Sequence, residues 1–135
     1  KVYLDYYDRM QQSSSTFDKK RLAELRKLVK QKNEEREEKW KEWVYSESNN
    51  FVEKVISQYQ EMIDFAENYD LTPKSFDDFL NFMGIKEKYE EEYKKDKELE
   101  EIYQKVYTEY TKLNYEYNKL EKESKAFKER ISFKG

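Results

Sequence analysis

Glu90, Glu91, Glu92, Glu98, Glu100 and Glu101 form the densest set of groups in this chain able to move a proton or hold a cation. Acid–base work by carboxylates needs two of them in unlike environments, one kept protonated and one ionised. A contiguous run on a helix points in several directions at once and reads as solvated surface. The chain has no His and no Cys. That removes the commonest general base, the commonest strong nucleophile and every thiolate metal site. A di-metal carboxylate bundle needs inward Glu-x-x-His pairs, and these are missing too. Two Gly leave no loop to cradle a phosphate. The sequence therefore assigns no catalytic, cofactor-binding or metal-binding residue. No small-molecule substrate is evident, and the chain reads as non-enzymatic.

The aromatic and basic residues offer contact chemistry instead. Tyr103, Tyr110 and Tyr117 recur every seven residues. Their plainer reading is core, with each ring packed on Leu or Val and each hydroxyl at the edge. The sharper reading, a stacking platform for single-stranded nucleic acid, needs flanking positive charge. Here Glu109, Glu116 and Glu123 flank the ladder and would repel phosphates. Trp40 and Trp43, three residues apart, share one helical face and are candidate contacts for a protein partner, as is Tyr115 on the outward side of its helix. The most basic stretch holds Lys19, Lys20, Arg21 and Lys27, with Arg26, Lys30 and Lys32. A solvated face explains it most simply. Its functional counterparts are steering of an acidic protein, a membrane surface or a nucleic acid. A helix-turn-helix over the third and fourth helices is disfavoured, because the would-be reading helix carries Asp77 and Asp78 against Lys74 alone.

These side chains have to be positioned by helices. Charged residues make up 42% of the chain, which alone would suggest disorder, but 13 Tyr, 8 Phe and 2 Trp supply periodic apolar surface. Two Gly and one Pro allow few turns, and no stretch alternates cleanly enough for a strand. Net charge is −3 with both signs interspersed, which suits a solvated helical surface more than a polyanion binder. No apolar run is long enough to span a membrane. The Lys, Glu, Tyr and Phe bias fits an AT-rich (low-GC) genome. The chain begins with Lys1 rather than Met and reads as a piece of a longer protein. Its compartment is not legible.

Periodicity predicts five helices, at 2–12, 17–45, 51–68, 73–83 and 86–131. Ser13 to Thr16 reads as a break with an N-cap, and Ser46 to Asn50 as a weak break or kink. The middle of the second helix, Gln31 to Lys39, is nearly all charged, so it projects from the core or meets a polar partner. Val52, Val55, Ile56, Tyr59, Met62, Ile63 and Ala66 form the broad stripe of a core-facing helix. Thr72 is the expected N-cap of the fourth helix, with Pro73 at its first position, Phe76, Phe79, Leu80 and Met83 inward, and Gly84 closing it. The fifth helix carries a heptad seam. Leu99, Val106, Leu113, Leu120 and Phe127 occupy d; Tyr103, Tyr110, Tyr117, Ser124 and Ile131 occupy a. Ser124 is expected where the partner helix has ended.

The fold expected is all-α, a single domain over 1–135: an elongated antiparallel helical bundle with coiled-coil character and three long helices. The function expected is a non-catalytic protein–protein interaction or scaffold module acting through helix surfaces. The alternatives are a self-assembling structural coiled coil, joined to itself through the 99–131 seam, and, less favoured, nucleic-acid binding through the basic 19–32 helix.

Overall fold

The computed structural model describes the backbone of residues 2–134 and the side chains of residues 19–126. The expectations placed on the side chains of Phe127 and Ile131 lie outside the described residues. The fold is all-α, with four helices rather than five: α1 (Val2–Val44), α2 (Glu47–Asn68), α3 (Phe76–Met83) and α4 (Lys86–Lys134). The chain divides into two compact units, one of Lys1–Arg36 with Val106–Gly135, the other of Glu37–Lys105.

The missing break is at residues 13–16, which continue α1. Ser and Thr favour caps but cost only a few tenths of a kcal/mol each inside a helix. With neither Gly nor Pro beside them, nothing forces the chain to turn. The break near Ser46 is real and short. Ser46 Oγ donates to the Trp43 carbonyl at 2.7 Å and accepts from the Asn49 N–H at 3.0 Å. One hydroxyl thus ends α1 and caps α2, so α2 starts at Glu47, four residues before the expected Phe51.

In the first unit, α1 and α4 run antiparallel. Leu22, Leu25 and Val29 give α1 a stripe at three- and four-residue steps, with Leu25 fully buried. On α4, Val106 is buried, and Tyr110, Leu113, Tyr117 and Leu120 are half-buried. The charged middle of α1 continues the stripe. Lys32 meets Glu109 at 2.6 Å and Glu35 at 3.1 Å, and the Arg36 guanidinium lies 5.3 Å from the centre of the Tyr110 ring. Lys and Arg stems can cover apolar surface while their heads stay polar, so the seam persists where the leucines stop. Ser124 is buried rather than stranded past the end of a partner. Without the break at 13–16, α1 does not stop short of it.

In the second unit, Val52, Val55, Tyr59, Met62 and Ala66 turn one face of α2 inward. Val55, Phe79 and Leu80 form the core cluster, with Phe51, Tyr59, Met62, Phe76, Ile85 and Tyr89 packed on it. Ile56, expected in this stripe, lies at its edge and stays exposed. The Tyr59 ring sits edge-on to Phe76, with centroids 5.0 Å apart, and its hydroxyl donates to the Lys74 carbonyl at 2.9 Å. The Tyr59 bond fixes the Lys74 carbonyl in the loop that precedes α3. The N-cap is Ser75, whose Oγ accepts from the Asp78 N–H at 3.2 Å, and not Thr72. Gly84 closes α3 at φ 69°, with Ile85 N–H on Leu80 O and Gly84 N–H on Asn81 O, both at 3.1 Å. This is the left-handed Schellman ending. Asp70 at φ 54° closes α2 the same way, with Leu71 N–H on Ala66 O at 2.7 Å.

Candidate functional site

Two groups of side chains in the second unit stand out, one buried and polar, one exposed and apolar. The buried group centres on Asp96. Its Oδ1 accepts from Trp43 Nε1 and from Asn49 Nδ2, each at 3.0 Å. One turn earlier on α4, Glu92 accepts the Ser48 hydroxyl at 2.5 Å. Asp96, Asn49 and Ser48 are all buried. Trp43 is stacked on Tyr103 with ring centroids 5.5 Å apart and an interplanar angle of 28°. Every donor here points at a protein carboxylate. The cluster joins the end of α1 and the start of α2 to α4, and holds them in one register. Among the described residues no group of three side chains is arranged to hold a metal ion.

The exposed group spans the end of α2, the loop after it and the end of α3. Phe65 and Leu71 are 57% exposed, Tyr69 65%, Phe82 72% and Met83 45%. Met83, expected inward, is exposed and is not among the side chains packed on the Val55 cluster. Phe65 and Tyr69 form a ring pair with centroids 4.6 Å apart. Scattered exposed hydrophobics are ordinary. Five large ones within nineteen residues of one loop-linked helix pair are a concentration of a different kind.

The residues picked out by sequence fall as follows. Trp43 is half-buried in the Asp96 cluster, while Trp40 is exposed and edge-on to Tyr45 at 6.1 Å. Tyr115 is 70% exposed. Lys19, Lys20 and Lys27 are exposed, and Arg21 pairs with Glu24 at 3.6 Å and Glu116 at 3.4 Å. The seam residues Leu99 and Tyr103 are half-buried in the second unit. The Tyr faces are in use: Tyr103 by Trp43 and Tyr110 by Arg36, while the Tyr117 hydroxyl accepts from Arg26 Nε at 3.4 Å. That bond raises the Arg26 pKa. The hydrogen bonds of Lys32 to Glu109 and then Glu35 raise the lysine's pKa.

Phe65, Tyr69, Phe82 and Leu71 were not singled out by sequence. The available signal was subtraction: once the 52-55-59-62-66 and 76-79-80 faces are assigned, these aromatics fall off both. Asp96 was missed too, although it stands seven residues before Tyr103 and so occupies the same heptad position.

No family model matches the chain, nor does any curated protein or solved structure. No helix among the described residues is long and apolar enough to cross a membrane.

Proposed function

We propose that this chain is a non-catalytic protein-interaction module, and that the exposed end of α2 and α3, over residues 61–83, is its contact surface. The supporting observation is a contrast in exposure. Among the described residues the α4 seam is buried or half-buried, with Lys32 and Arg36 against it in one unit and Trp43 in the other. Phe65, Tyr69, Leu71, Phe82 and Met83 are left largely open. Exposed aromatics are frequent anchors of protein interfaces, and these residues lie within nineteen positions of one another in the chain. Trp40, Trp43, Tyr115 and the basic Lys19, Lys20, Arg21 and Lys27 become secondary candidates, because Trp43 and Arg21 already have intrachain partners.

Light scattering coupled to size exclusion, across a tenfold range of concentration, separates this reading from self-assembly. A constant mass of 16.8 kDa is expected. A concentration-dependent oligomer that is lost on Leu113→Asp would replace it with assembly through the seam. An oligomer lost on Phe65→Ser with Phe82→Ser would make the contact surface one between copies.

A further inference from the structure

The exposed aromatics of residues 61–83 carry acids at a fixed spacing. Glu61 lies four residues before Phe65, and Asp78 four before Phe82, the spacing that places two side chains side by side on a helix. From 60 to 84 there are six carboxylates and a single cation, Lys74. That cation lies over the Phe82 ring at 4.8 Å. Of the six acids only Asp77 has an ion pair among the described residues, with Lys86 at 3.0 Å. Glu61, Glu67, Asp70 and Asp78 are exposed. The bias extends to the whole unit: Glu37–Lys105 holds 10 Lys against 19 Asp and Glu, while the rest of the chain holds 17 Lys and Arg against 11. The modest net charge of the chain conceals this split.

We infer that the α2–α3 surface takes a cationic amphipathic helix from another protein, its apolar face on Phe65, Tyr69 and Phe82 and its Lys or Arg side chains among Glu61, Glu67 and Asp78. This names the partner class for the contact surface proposed above and rests on that reading. Charge complementarity selects the occupant. Apolar rings alone would accept any greasy surface, but interleaved carboxylates repel anionic lipid and acidic helices and attract basic ones. A second copy of this chain is a poor fit. In its basic stretch Arg21, Arg26 and Lys32 are turned to α4, and among the described large hydrophobics there only Leu28 is exposed.

The test uses the full chain and three synthetic amphipathic helices of about 18 residues, built from Leu with Lys, Leu with Gln, or Leu with Glu, titrated by calorimetry. The Leu/Lys helix should bind at least about tenfold more tightly than the Leu/Glu helix at low salt, and lose affinity as salt shortens the screening length. Phe65→Ser with Phe82→Ser should abolish its binding. Glu61→Lys with Asp78→Lys, which leaves the rings in place, should reverse the preference toward Leu/Glu. Circular dichroism of each variant checks that the helices persist. Equal binding of Leu/Gln and Leu/Lys would keep the contact surface but overturn the cationic partner. Failure of all three helices to bind would overturn both. Leu/Lys binding that survives the Phe variants would place it elsewhere and overturn the inference, as would ring-dependent binding to phosphatidylcholine or phosphatidylserine vesicles.

Discussion

Trp43 shows how one side chain can look like a contact residue and act as a fastener. Its ring lies on Tyr103 and its indole N–H is given to Asp96. Hydrogen bonds to a charged group contribute about 1.5–3 kcal/mol. Trp43→Phe keeps most of the stacking area but removes a donor from a buried carboxylate, and should lower the urea-unfolding free energy by about that amount. Asn49→Ala removes the second donor. The two losses should be non-additive in a double-mutant cycle, because both act on one oxygen. A second prediction at this scale concerns alkali. The pKa of Lys32 is raised by its bonds to Glu109 and Glu35, and that of Lys97 by its bond to Glu100. Burial raises that of Tyr89. In each case the folded state holds its proton more tightly than the unfolded chain does. The stabilisation is therefore complete below the unfolded values, about 10 for Tyr and 10.4 for Lys, and is lost as pH rises through the folded ones. Thermal melts should fall on going above about pH 10, and Lys32→Gln should lessen that fall.

At the scale of elements, the ends of the helices are set by single residues that can be tested one at a time. Ser46→Ala removes the shared cap between α1 and α2, and Ser75→Ala the cap of α3. Each should cost about 1 kcal/mol in chemical denaturation. Gly84→Ala should cost about 1–2 kcal/mol from backbone strain alone. Its φ of 69° is unfavourable for an L residue, while a Cβ there meets nothing within 4 Å. These ends also show what could be read in advance. The inward stripe of α4 from Leu99 to Leu120, the core face of α2 and the Gly84 ending were legible because apolar spacing and glycine chemistry are local. The run at 13–16 and the start of α3 were not. A serine says that a cap is possible, and neighbours decide whether one forms: at Ser75 the Tyr59 hydroxyl, bonded to the Lys74 carbonyl, holds the residue before it. The seam itself was read as too short. The same register reaches back from Leu99 through Asp96, Glu92 and Tyr89 to Ile85, all of them buried or half-buried. Two carboxylates in core positions hid it, because a charge is read as exposed unless its donors are known.

For the whole molecule, the contact surface was harder to see than the fold, because exposure is what remains after packing is known. Phe65 and Phe82 could have been core residues of a larger assembly or of this chain. Only the positions of Val55, Phe79 and Leu80 exclude the latter. The covered seam makes a further prediction. Leu113→Asp should destabilise the first unit, seen as faster amide exchange over 19–36 and 106–126, while the mass stays at that of one chain.

The two units also differ in how they are threaded. The second is one continuous stretch, Glu37–Lys105, whereas the first joins segments at either side of it, so that Arg21 meets Glu116 across 95 residues. On a ribosome, which delivers residues in order, the second unit has all its parts while α1 still lacks its partner. The Lys and Arg at 32 and 36, placed where leucines would otherwise continue the stripe, give that waiting helix a water-compatible surface. A chain with Leu at both positions would form a stickier seam once complete, and a more aggregation-prone one during its own synthesis.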